Sequence, residues 1–181
     1  AYRFIMMNAE NIEGLPQDNK LQLELADRWI ISRLQEVIME VRAHYENLRF
    51  NDAANAIFKF MWDEFCSWYI ELSKDRLDPS AEKESKLTAK YILLNVMQQG
   101  MRLLHPIMPF ITEEIWQGIK NIFPLKEEAL IIAAFPEADE TLIDSHIDNN
   151  MRFVQESITA IRNLRKQINL APSQQIDIVI R

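Results

Sequence analysis

Apolar residues recur along this chain mostly at the 3.6-residue spacing of a helix. In 21–48 the stripe is Leu23, Ala26, Ile30, Leu34, Val37, Val41, Tyr45 and Leu48, with Arg28, Arg33, Glu36, Glu40 and Arg42 off it. That pattern predicts an amphipathic helix. Segment 81–105 repeats it on Leu87, Tyr91, Leu94, Met97, Met101 and Leu104, and Pro106 and Pro109 stop it. Proline removes a backbone donor and disfavours helix in the residue before it. A shorter helix is expected over 110–123 on Ile111, Ile115, Ile119 and Ile122, with Glu113 and Glu114 in the first turn, where the helix dipole favours acids. Another is expected over 145–169, capped by Asp144, on Ile147, Met151, Val154, Ile158, Ile161 and Ile168.

Segment 51–77 has a different pattern. Asn51 or Asp52 can cap its start. From Ala53 to Leu72 its apolar residues cover most of the helix circumference, and Pro79 ends it. A helix apolar nearly all round is expected to be central, surrounded by others. Two stretches do not read as helix. The apolar run 129–135, closed by Pro136, fits a buried strand, and 174–181 alternates Ile176, Ile178 and Ile180 with Gln175, Asp177 and Val179. The two could pair. The expected fold is all-α: a helical bundle over 1–124, with a small α/β extension of two short strands and a long helix over 125–181.

Composition narrows the function. At 181 residues one domain with a small appendage is expected. The three glycines, Gly14, Gly100 and Gly118, are too far apart for a phosphate-binding loop. Cys66 is the single cysteine, which excludes an internal disulfide and a multi-cysteine zinc site. Lys plus Arg is 20 against 27 Asp plus Glu, a net charge of −7, the opposite of a generic nucleic-acid coat. The run 129–135 is the longest apolar one, far short of the ~20 residues that span a bilayer. The opening residues lack the features of a signal peptide and do not begin with Met. A soluble, cytoplasmic piece of a longer protein, without membrane contact, is expected.

No catalytic constellation emerges. His44, His105 and His146 lack metal-ligand spacing, so no metal site is expected. Asp63–Glu64 and Glu113–Glu114 are adjacent pairs, whose side chains point about 100° apart on a helix and do not converge on one atom. Cys66, between Phe65 and Trp68, reads as an inert packed thiol. The aromatics Phe58, Phe60, Trp62, Phe65, Trp68 and Tyr69 could form a stacking platform for bases, but at helical spacing core packing is the stronger reading. The basic groups Lys74/Arg76, Lys83/Lys86/Lys90 and Arg162/Arg165/Lys166 read as solvated helix faces before phosphate contacts. From the residues alone the chain is a helical binding or scaffolding module.

Several linked segments carry a resemblance. Trp62-Asp-Glu-Phe-Cys-Ser-Trp-Tyr-Ile-Glu71, followed by Lys74, resembles the W-x-E-F-C-D-W-Y-[LI]-E-x-x-K signature of valyl-tRNA synthetases, with Ser67 in place of the usual Asp. Ala26-Asp-Arg-Trp-Ile30 with Ser32-Arg-Leu34 is similar to that family's A-D-R-W-I-x-S-R-L helix. Leu104-His-Pro-Ile-Met-Pro-Phe-Ile-Thr-Glu-Glu-Ile-Trp116 resembles a segment that leucyl and isoleucyl relatives share. Ile161-Arg-Asn-Leu-Arg165 with Asn169-Leu-Ala-Pro-Ser173, and the opening Arg3-Phe4 with Asn8, match two further segments of the family. The family's ATP-binding motifs, H-I-G-H and K-M-S-K-S, are not in this chain.

The resemblance implies an anticodon-binding region, inactive alone, of a class I synthetase whose other domains bind ATP, join valine to tRNA and edit errors. It implies the anticodon loop of valine tRNA as partner and no cofactor bound by this region. Valine codons start with G-U, so the anticodon ends in A-C. By the same resemblance, Phe4 would stack on an anticodon base, Ile70 would extend the apolar floor, and Arg3 and Lys74 would face phosphate or base edges. The equivalent region of a leucyl or isoleucyl enzyme, and a helical protein–protein scaffold, stay open as alternatives.

Overall fold

The computed structural model describes residues 1–9, 21–171 and 174. The chain divides into two compact units, Ala1–Asp144 and Ser145–Arg181. Within the first unit, α1 is Tyr2–Ala9, α2 Leu25–Glu46, α3 Phe50–Lys59, α4 Ile70–Leu77, α5 Lys83–Leu104 and α6 Pro109–Lys120. No strand occurs among the described residues, and the architecture is an all-α bundle.

The central helix is α5, not the 51–77 helix that its apolar content pointed to. α5 touches α1, α2, α3, α4 and α6. It is buried on nearly all sides, through Ala89, Ile92, Leu93, Leu94, Val96, Met97, Met101 and Leu103. Gly100 lets the Met61 sulfur approach its backbone where any side chain would collide. Gly118 on α6 does the same for the Tyr2 hydroxyl, which seats α1.

Segment 51–77 is helical throughout, but its middle is not α-helix. Between α3 and α4, residues Phe60–Tyr69 wind as a π-helix, with hydrogen bonds reaching back five residues, as from the Ile70 N–H to the Phe65 carbonyl. π-Helix is rare and often marks a functional place. Its inward positions follow its own repeat: Phe60, Phe65 and Ile70, five residues apart, are all core. Phe58 and Trp62 fall outside that set and face solvent. The start also differs from expectation. The helix begins at Phe50 with Arg49 as N-cap and no side-chain cap, and Asp52 takes the Arg49 guanidinium at 2.6 Å.

A buried polar network ties these helices together. Asp27 is fully buried. Its carboxylate accepts from the Tyr69 hydroxyl at 2.7 Å, from Arg76 Nη1 at 2.5 Å and from the Glu24 N–H at 2.9 Å. Arg76 also donates to the Ser85 hydroxyl and carbonyl at 2.9 and 3.0 Å, next to the start of α5.

The run 129–135 is not a strand. It holds one 3-10 turn, Leu130–Ile132, in which Leu130 is buried and Ile131 and Ile132 face solvent. An isolated strand would leave its backbone groups unpaired. Here the Leu130 N–H instead donates to the Glu113 carboxylate at 2.8 Å. The strand expected at 174–181 lies outside the described residues, apart from Gln174. Nor does the chain divide at 124. Gln35 and Ser32, polar residues inside α2, accept from the Asp139 and Asp144 N–H groups at 2.9 and 3.0 Å, so 125–144 belongs to the first unit.

The second unit contains α7, Ser145–Gln167. Asn169 follows it with φ 52°, and the Asn169 and Leu170 N–H groups bond back to Lys166 and Arg165. Leu48 ends α2 in the same way, with φ 57° and bonds from the Leu48 and Arg49 N–H groups to Tyr45 and His44. Glycine is the usual residue at this left-handed position, and asparagine is tolerated.

Two outcomes are expected. Asp27→Ala leaves Arg76 uncompensated and should cost about 3–5 kcal/mol in urea unfolding, whereas Tyr69→Phe should cost about 1–3 kcal/mol. Burial first, then the Asp27 charge, raises the Tyr69 phenol well above its ordinary value. The unfolded chain therefore ionises this phenol first, and stability falls as pH rises beyond about 10. Tyr69→Phe should make that alkaline limb shallower. Separately, Leu48 is an exposed β-carbon residue in the left-handed region. Leu48→Gly should stabilise by about 1 kcal/mol, read as a melting temperature roughly 2–4 °C higher.

Candidate nucleic-acid interface

Arg3, Phe4, Ile70 and Lys74 come from two helices, α1 and α4. α1 is anchored on one side by Tyr2 at Gly118 and by Ile5, which is 1% exposed. The Asn8 amide donates to the Phe4 carbonyl at 2.8 Å and closes the helix. That anchoring turns Arg3 outward to solvent and leaves Phe4 half-buried. On α4, Arg76 points inward to Asp27. Two residues along a helix is about 200°, so Lys74 points outward, and it is exposed.

The structure brings Phe4 and Lys74 together across 70 positions of sequence. The Lys74 Nζ lies 6.0 Å from the centre of the Phe4 ring, at the outer edge of cation–π attraction. The same ammonium pairs with Glu71 at 2.7 Å. Arg3 has no ion pair among the described residues and offers an open guanidinium. Ile70 is core, 5% exposed, so it offers no free stacking surface. The site is one aromatic face, one paired ammonium and one open guanidinium. Such a set can stack a base and hold a phosphate. No titration shift singles out any member.

A second exposed aromatic feature escapes the sequence reading. The Phe58 and Trp62 rings stack with centres 6.1 Å apart and planes 8° from parallel, while 65% and 61% exposed. The four-residue spacing was visible in the sequence, but only the π-helical register separates these two from Phe60 and Phe65. Trp68 is half-buried and Tyr69 is core. Cys66 is half-buried, and burial pushes its thiol up, away from reactivity.

The remaining polar groups are occupied. His105 Nδ1 lies 2.8 Å from the Thr112 hydroxyl, which itself donates to the Met108 carbonyl at 2.8 Å, fastening the corner between α5 and α6. A cleft of about 460 Å³ beside it is lined by Phe110, Ile131, Glu113 and Glu114, an acidic and apolar surface unsuited to phosphate. Among the described residues, no group of three or more His, Cys, Asp or Glu is placed to hold a metal. No described helix is long and apolar enough to cross a membrane. In the second unit Arg165 donates to the Ala171 and Gln174 carbonyls at 2.6 and 2.9 Å.

Comparison with known proteins places this arrangement. The chain is 40% identical to a valine–tRNA ligase of Fusobacterium nucleatum over 99% of its own length and 20% of the relative's. It is 38% identical to that of Thermotoga maritima over 100% and 20%, and 41% identical to that of Laribacter hongkongensis over 96% and 19%. The chain thus spans about a fifth of the length of these relatives. Its fold is similar to part of a LeuRS from Agrobacterium radiobacter K84, solved in a ternary complex with tRNA and LeuAMS. The TM-score is 0.50 at 21% identity, covering 79% of this chain and 15% of that one. Residues 27–180 match the family described as the anticodon-binding domain of tRNA ligase, and the chain belongs to that family.

Proposed function

We propose that this chain reads the anticodon loop of valine tRNA, as the anticodon-binding part of a valine–tRNA ligase. The chemistry, joining valine to tRNA with ATP, and the editing of errors belong to other domains of the whole enzyme, which acts in the cytoplasm. This region binds no cofactor of its own. The observation that carries the reading is the Phe4–Lys74 pair: an aromatic face beside an ammonium, on an outward surface, built from helices 70 residues apart. Unpaired loop bases are recognised by stacking and by polar groups at their edges. Phosphate contacts set register without reading sequence. Phe4 takes the first role, and Lys74 and Arg3 take the second. The similarity to valine–tRNA ligases supports valine over leucine or isoleucine.

The test is a binding titration with a valine anticodon stem-loop against the same stem with a scrambled loop, and against leucine and isoleucine anticodons. Preference for the valine loop is expected, and equal affinity for all loops would overturn the reading. Phe4→Ala should weaken binding roughly 5–150-fold while the melting temperature stays nearly fixed. Ile70→Ala, a core truncation, should instead cost about 2–5 kcal/mol of stability and act on binding only through unfolding.

Salt separates the cations from the aromatic face. Lys74→Ala should weaken every loop alike and lower the slope of log affinity against log salt by about 0.7, the value for one phosphate on a single strand. A change of anticodon preference with the slope intact would reassign Lys74 to base reading.

A further inference from the structure

We propose that the exposed Phe58–Trp62 stack is a second base-stacking platform of the same interface, taking another unpaired nucleotide of the tRNA loop. This rests on the anticodon reading above. Four linked neighbours connect the stack to Phe4 along one outer face of the helix running from α3 to α4. Phe58 stacks on Trp62. The Ser67 hydroxyl donates to the Trp62 carbonyl at 2.8 Å, five residues back, which places Ser67 over Trp62 in the π register. Glu71 follows Ser67 by one α-helical turn and pairs with Lys74, whose ammonium lies beside Phe4. Ser67, Glu71 and Lys74 are exposed, as are Phe58 and Trp62. The strip is roughly 20 Å long at ~1.5 Å per residue or slightly less, long enough for several nucleotides.

The chemistry of the strip selects a base as the occupant. Phe58 and Trp62 lie nearly parallel, so the stack presents flat π faces, and every base has a π face to match. Lys59 and Asn55, both exposed, flank it and have no hydrogen-bond or ion-pair partner among the described residues. They supply an ammonium for phosphate and an amide for a base edge. Asp63 and Glu71 are also exposed on this side. Carboxylates disfavour a run of phosphates, so the attraction here is stacking. A protein partner would be met by a contiguous apolar patch, whereas this face alternates an aromatic pair with Ser67, Glu71 and Lys74. The π-helix is what turns Trp62 outward while Met61 packs on Gly100.

The experiment measures stem-loop affinity by fluorescence anisotropy for the 181-residue chain, with melting temperature and sedimentation recorded on each variant. Trp62→Ala and Phe58→Ala should each weaken the valine stem-loop roughly 5–150-fold with the melting temperature little changed, since both side chains are mostly exposed. Trp62→Phe keeps a flat ring and should recover most of the affinity. If Trp62→Ala binds like the parent sequence while Phe4→Ala binds weakly, the second platform is wrong and the anticodon reading stands. If the unaltered chain ignores the stem-loop, both fall together. If Trp62→Ala changes self-association and leaves RNA affinity alone, the stack is a protein contact and the proposal is overturned.

Discussion

Asp27 sits without solvent exposure between Tyr69 and Arg76, and a carboxylate taken out of water survives there because three donors replace its hydration. The donors come from the residue capping α2, the end of the π-helix and the middle of α4. Those three places are thereby fixed in rotation as well as distance. Arg76 extends the constraint to Ser85, at the start of the central helix. Lys74 lies two residues from Arg76, so whatever holds Arg76 inward also holds Lys74 outward. The outer face depends on an inner charge pair.

The other half of the interface is positioned differently. α1 is a short helix with little core of its own, and it is held by close approach: Ile5 is buried, and the Tyr2 hydroxyl occupies the space that Gly118 leaves open. Phe4 reaches Lys74 because of that fit. The chain carries a net charge of −7 and pairs Lys74 with Glu71, so long-range attraction to RNA is weak. A surface of this kind relies on short-range stacking, which rewards the right loop geometry and ignores distant phosphate. Discrimination is then its natural task, with attraction left to other parts of the enzyme.

Much of the helical layout was legible because amphipathic stripes report one buried face each; α2, α5, α6 and α7 all begin and end within a few residues of their stripes. What was not legible needed information from elsewhere in the chain. Apolar content made the 51–77 helix look central, but α5 holds that place because five helices meet on it. The five-residue repeat of Phe60, Phe65 and Ile70 was a usable sign of π-helix, hidden by the other aromatics around it. The Asp27 network links positions 42 and 49 residues apart, which no local pattern exposes. At 129–135 apolarity alone suggested a strand, yet only Leu130 turns inward. Of the candidate contacts, Phe4 and Lys74 meet and Ile70 is core, a distinction set by which way α4 is rotated.

The π-helical stretch has a consequence for how this chain can change in length. A π-helix uses more residues per turn than an α-helix, so Phe60–Tyr69 takes up extra residues within one continuous rod. Deleting one of them and letting the rest rewind as α-helix would rotate everything beyond by about 100°. Arg76 would leave Asp27 and Lys74 would leave Phe4 in the same movement. Insertions and deletions, harmless in the loops around 78–82 or 121–129, are therefore excluded here. In this rod the number of residues is as strictly selected as their identity.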